Sequence, residues 1–85
     1  MTRLQKRLPV SEAIEVLRAL DPARVRLSCV EGFILNDAGG YEARLDLIVS
    51  FDHMQQFSEQ ERIRIAEMFM SNRSTDRTYF EIWDW

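Results

Sequence analysis

Cysteine is almost absent from this 85-residue chain, in which Cys29 stands alone. An intrachain disulfide is therefore excluded, and a reducing cytoplasm is the expected compartment. Long apolar runs are also lacking, since none approaches the roughly 18 residues that a membrane-spanning helix needs. The opening segment, MTRLQKRLPVSEA, has no apolar centre of the kind that signal peptides carry. The sequence predicts neither a membrane segment nor a secretion signal.

Lysine is equally scarce, because 10 of the 11 basic residues are arginine and only Lys6 is lysine. The net charge is -3 and the pI about 5.1, so the overall electrostatic field does not favour a phosphate backbone. Arg3, Lys6 and Arg7 form a short basic run at the amino terminus, which we expect to be solvated. Nucleic acid is therefore not an expected partner.

Histidine occurs once, at His53, and one histidine with one cysteine cannot supply the ligands of a zinc site. Asp52 could orient His53 as a base with Cys29 as nucleophile. However, the strand pattern places Cys29 in the core and His53 beyond a strand end. Gly39 and Gly40 lack the lysine and the following helix of a phosphate loop. We predict no catalytic, cofactor-binding or metal site.

Two segments have apolar residues at helical spacing. Residues 9–21 predict a helix that Ser11 caps and that Asp21 and Pro22 end. Residues 57–73 predict a second helix, which begins with a capping box between Ser58 and Glu61.

Three segments alternate as strands, at residues 24–35, 41–51 and 78–85. Residues 2–8 could add an edge strand or remain loose. With 46% hydrophobic and 29% charged residues, the chain predicts one α+β domain over residues 1–85. Its antiparallel sheet carries both helices on one face, either in the ferredoxin-like order βαββαβ or as αββαβ.

The turn sequence NDAGG, residues 36–40, joins the first two strands into a hairpin. Pairing Leu35 with Tyr41 places Phe33 opposite Ala43 and Cys29 opposite Leu47. The same register places Leu27 opposite Val49, Val25 opposite Phe51 and Arg24 opposite Asp52. Glu31 then falls among apolar residues, which a bulge at Glu31 and Gly32 would correct.

The apolar side of this hairpin is expected to face the helices and to include Phe33, Tyr41 and Phe51. Sheets that read single-stranded RNA carry aromatic residues on the exposed face instead. The predicted register therefore argues against an RNA-reading sheet.

The chain has more apolar surface than one small core needs. In the last strand we expect Phe80 and Ile82 in the core, with the alternate residues on the other face. Tryptophan packing over a sheet edge or the chain end is one interpretation, and a partner surface is the other. The candidate contact residues are Tyr79, Glu81, Trp83, Trp85, Met68, Ile34 and Ile48. Val30 is a further apolar residue that we expect on the outer face of the hairpin, beside Ile34 and Ile48.

These features favour a non-catalytic protein–protein interaction module that binds another protein, or a second copy, through an aromatic and apolar face. In size, acidity and lack of motifs the chain is similar to small inhibitors and adaptors of bacteria and phages, including anti-CRISPR proteins. This is a similarity of profile only. One alternative is a dimeric regulatory domain that binds a small molecule, although KRLPVSE lacks a glycine-rich turn. Another is a small enzyme that uses His53 or Cys29.

Overall fold

The computed structural model describes all 85 residues and confirms an α+β architecture with a five-stranded antiparallel sheet and two helices. The strands are β1 (Thr2–Arg3), β2 (Leu8–Pro9), β3 (Leu27–Leu35), β4 (Tyr41–Ser50) and β5 (Thr78–Asp84). The helices are α1 (Val10–Ala19) and α2 (Glu59–Arg73). Neither helix is long and apolar enough to cross a membrane.

The sheet has the order β1-β5-β3-β4, and β2 also pairs with β5. Thr2 pairs with Asp84 and Leu8 with Phe80, so β1 and β2 are two halves of one interrupted edge strand. The amino terminus is thus paired rather than loose. The ferredoxin-like order is not confirmed, because the last strand lies between the first strand and β3.

The hairpin turn is the one that the sequence predicts. Asn36 Oδ1 accepts hydrogen bonds from the backbone N–H groups of Ala38 at 3.0 Å and Gly40 at 2.9 Å. Gly39 has a φ of 84°, which glycine adopts without strain. Next to the turn, Leu35 pairs with Tyr41 and Phe33 with Ala43, as predicted.

Further from the turn the predicted register is wrong. The register shifts between Glu31 and Phe33, where the bulge was expected, but the extra residues belong to β4 and not to the strand that contains Glu31 and Gly32. Glu31 pairs with Ile48, and Cys29 pairs with Ser50 rather than with Leu47. Residues 44–47 of β4 therefore lie opposite a single residue of β3. Because β4 gains an odd number of residues at the bulge, its side-chain alternation switches faces there.

The start of β3 was also predicted too early. Residues 24–26 precede the strand, and the backbone N–H groups of Arg24 and Val25 donate to the carbonyl of Asp21. The predicted pairs of Leu27 with Val49, Val25 with Phe51 and Arg24 with Asp52 are therefore absent. The chain turns at residues 22–24, between α1 and β3.

The predicted start of α1 is wrong, whereas the predicted start of α2 is confirmed. Ser11 does not cap α1, because Pro9, which pairs with Tyr79 in the sheet, holds the cap position and the helix begins directly after β2. The capping box of α2 is confirmed, with Glu61 N–H donating to Ser58 Oγ at 3.2 Å and Ser58 N–H to Glu61 Oε1 at 2.9 Å. The hydrogen bond from the Ser58 backbone N–H to the carboxylate, followed by the Ser58 side chain, lowers the pKa of Glu61.

Both helices cover the same face of the sheet. The core, between the helices and the sheet, contains Ala13, Leu17, Leu27, Val30, Leu47, Phe51, Ala66, Met70, Phe80 and Ile82. Phe80 and Ile82 are in the core as predicted, but Val30 was expected on the outer face and is fully buried here. Gly32 lets the strands approach closely, since an added Cβ would overlap Leu47 Cβ.

One charged residue of α2 is buried in a way that the helical pattern did not predict. Arg62 Nη1 lies 2.9 Å from Glu59 Oε1. Its Nε and Nη2 donate to the Met54 carbonyl at 3.2 and 3.0 Å. Arg62 therefore ties the start of α2 to the loop that precedes it.

Candidate functional site

The face of the sheet that no helix covers is called the open face here. On β5, Phe80 and Ile82 point towards the helices, so the residues that alternate with them point the other way. Cross-strand pairs extend this face over the neighbouring strands. The open face includes Cys29, Glu31, Phe33, Tyr41, Ile48, Tyr79, Glu81 and Trp83, with Arg3 and Arg7 from the amino-terminal strand region.

A buried carboxylate lies at the centre of the open face. Glu81 is 3% exposed, and its Oε2 lies 3.1 Å from Arg3 Nη1 and 2.9 Å from Arg7 Nε. A buried carboxylate is stable only when cations and hydrogen bonds replace its water. Glu81, predicted as a contact residue, is therefore covered by the two arginines and fixes their positions.

An aromatic layer lies beside this ion-pair cluster. The Arg7 guanidinium carbon is 4.1 Å from the ring centroid of Phe33 and 5.0 Å from that of Tyr41. The rings of Tyr41 and Tyr79 meet edge to face, with centroids 5.2 Å apart and an interplanar angle of 78°. Phe33 is buried beneath them, whereas Tyr41 is 41% exposed. Arg7, Tyr41 and Tyr79 thus form the outer layer.

These positions overturn the register argument against an RNA-reading sheet. Phe51 is buried on the helix side as predicted. Phe33 instead lies on the open face together with Glu31 and Cys29, because β3 keeps a single alternation there. Tyr41 lies on the same face because β4 changes faces at the bulge. The remaining argument against nucleic acid is electrostatic.

Cys29 is buried as predicted, but on the open face, where it pairs with Trp83. Burial, followed by the charge of Glu31, raises the pKa of the Cys29 thiol to about 11. The thiol lies 3.8 Å from Glu31 Oε1. His53 lies exposed in the turn after β4.

The predicted contact residues occupy several regions. Tyr79, Trp83 and Ile48 share the open face, and Trp85, which is 51% exposed, follows the end of β5. Met68 is 58% exposed on α2. Ile34 packs against the core cluster on the helix side.

Arg7 and Tyr41 were not predicted as contact residues, and the structure places both on the open face. The basic run containing Arg7 was expected to be solvated, and Tyr41 was assigned to the core. The alternation of β5 correctly indicated the face that Tyr79 and Trp83 take. The alternation of β4 did not do so for Tyr41, because β4 changes faces at the bulge.

No group of three or more histidine, cysteine or carboxylate side chains is arranged to hold a metal ion, and no pocket is present. Comparison of the chain with protein-family models, with curated proteins and with solved structures finds no match.

Proposed function

We propose that this chain is a non-catalytic protein-binding module, acting as a small inhibitor or adaptor of the bacterial or phage type, with the open face as its contact surface. The observation that carries the proposal is the outer layer of Arg7, Tyr41 and Tyr79 over a buried ion-pair cluster. Tyrosine and arginine are enriched at the energetic centres of protein interfaces.

The outer layer is held in place before any partner arrives. Glu81 fixes the Arg7 guanidinium, which in turn packs on Tyr41, and the ring of Tyr41 packs on Tyr79. Side chains that are already ordered lose little conformational entropy on binding. A preorganised surface of this kind favours a specific partner over loose adhesion.

The charges of the open face favour a protein over a nucleic acid. Arg3 and Arg7 both pair with Glu81, and Glu31 adds a second carboxylate to the same face. The whole chain has a net charge of -3. Phosphate binding requires an excess of positive charge. A mixed surface of aromatic rings and balanced charges suits another protein surface.

The test is affinity capture of the tagged chain from a lysate of the organism that encodes it. The contact variant is Tyr41→Ala with Tyr79→Ala, and the matched control is Met68→Ala, which removes a large exposed side chain from α2. We expect wild type and the Met68→Ala control to retain the same stoichiometric protein partner and the double variant to lose it. Retention by all three chains would contradict the open face as the contact surface.

Two other outcomes would replace the proposed function. Bound material that nuclease removes would identify a nucleic-acid binder. An empty capture together with thermal stabilisation of the chain by a metabolite would support the small-molecule alternative. If a protein partner is found, adding the purified chain to an activity assay of that partner separates an inhibitor from an adaptor.

A further inference from the structure

The outer edge of the sheet at β4 has an unusual shape. No strand pairs with the outer side of β4. In its middle, residues 44–47 have no paired residue in β3, because Ala43 pairs with Phe33 and the next pair is Ile48 with Glu31. Leu45 lies in this bulged segment and is 90% exposed. An unpaired edge with an exposed leucine is a site where another chain can add.

The charges beside Leu45 have a self-matching pattern. Arg44 Nε lies 3.3 Å from Asp46 Oδ1, so these two side chains share one side of β4 and Leu45 takes the other. Around a two-fold axis at Leu45, an antiparallel second copy would bring Arg44 opposite Asp46 of the partner subunit, and Asp46 opposite Arg44 of the partner subunit. The two leucines would meet on the other side of the strand pair.

We propose that the bulged segment Arg44–Asp46 is a self-association site, where a second copy of this chain docks antiparallel about a two-fold axis at Leu45. Charged side chains on an edge strand usually oppose pairing with another chain. Here the two charges have opposite signs and change places under the two-fold, so the same patch is complementary to itself. The joined sheets would place two open faces side by side.

The experiment uses the full chain and measures its mass by sedimentation equilibrium over a range of concentrations. The variant Arg44→Asp makes both positions acidic, and Asp46→Arg makes both basic. Each variant alone brings like charges together across the axis and should associate at least roughly tenfold more weakly than wild type. An equimolar mixture of the two variants should form a heterodimer, because each acidic position then faces a basic one.

Arg24→Asp is the matched control, because Arg24 is also an exposed arginine beside a nearby aspartate, Asp21. This control should dimerise as wild type does, and circular dichroism should show all variants folded. A monomeric wild type, dimers that persist in both single variants, or a mixture that stays monomeric would each overturn the proposal.

The dimer does not rest on the proposed function of the open face. Tyr79→Ala, on β5, should leave the mass unchanged even where it abolishes partner capture. Loss of partner binding with an intact dimer, and loss of the dimer with intact partner binding, are therefore separate results.

Discussion

The two faces of the sheet are buried by different means. On the helix side, Phe80 and Ile82 are fully buried by apolar side chains from α1 and α2. On the open face, Glu81 is buried almost as well, but by two arginines that are themselves half-exposed. The helix side therefore gains most from the hydrophobic effect, whereas the open face combines ion pairs with aromatic packing.

This difference implies a division of roles between adjacent residues of one strand. Removing a side chain from the helix side should leave a cavity, whereas removing one from the outer layer should expose only neighbouring surface. Substitutions in the outer layer of the open face should therefore lower the free energy of unfolding less than substitutions on the helix side.

Phe80→Ala should lower the free energy of unfolding by about 4 kcal/mol, because it leaves a cavity beneath both helices. Tyr79→Ala, one residue away on the open face, should cost about 1 kcal/mol through its lost edge contact with Tyr41. Urea denaturation of both variants measures the contrast. Equal losses at the two positions would remove the distinction between the faces.

Gly32→Ala should lower the free energy of unfolding by about 3 kcal/mol, because the added Cβ overlaps Leu47 Cβ and lies 2.9 Å from Leu47 O, so the two strands must separate. Gly40→Ala is the control, since its nearest new contact is the Asn36 side chain at 3.4 Å. The measurement is again the urea midpoint. A Gly32→Ala protein as stable as wild type would show that the close approach at the bulge is wrong.

Cys29 should be alkylated at pH 8 about a hundredfold more slowly in the folded chain than in urea. Its pKa is raised from 9.0 to about 11, and the thiolate is the reactive form. Iodoacetamide labelling followed by mass spectrometry gives both rates. Similar rates in the two states would refute the burial of Cys29.

The same shift predicts a pH dependence of stability. Because the folded pKa is the higher one, the contribution of the thiol is complete below pH 9 and is lost as the pH rises to about 11. The free energy of unfolding should fall over this range by more in wild type than in Cys29→Ala. An identical fall in both proteins would contradict the shift.

Glu81→Gln should cost about 1 kcal/mol, because glutamine keeps an acceptor for the arginines but loses the charge. Both arginines are partly exposed, so water can solvate them in the variant. Asp37→Asn is the control, since its pair with Arg77 is on the surface and should contribute nothing measurable. Thermal unfolding at low salt compares the two, and no effect of Glu81→Gln would show that the cluster does not stabilise the open face.

Local chemistry made part of the fold predictable. The NDAGG turn fixed the hairpin next to it, the Ser58–Glu61 capping box fixed the start of α2, and alternation in β5 separated Phe80 from Tyr79. Each of these features depends on residues close together in the chain.

The register beyond the bulge depends on distant contacts and was not predictable. Residues 44–47 continue the alternation of β4 without a local break in sequence, although in the folded sheet Leu47 packs closely against Gly32 of β3. Burial of Arg62 likewise needs the Met54 carbonyl from a preceding loop. The pair of Glu59 with Arg62 has a spacing that is equally common on exposed helices.

The most direct measurement determines stability and partner retention on the same protein, Tyr41→Ala with Tyr79→Ala. The division of roles predicts a folded chain that loses less than about 2 kcal/mol in urea denaturation and no longer captures its partner. A chain that unfolds would make the outer layer a structural element, and a folded chain that still captures the partner would place the contact surface elsewhere.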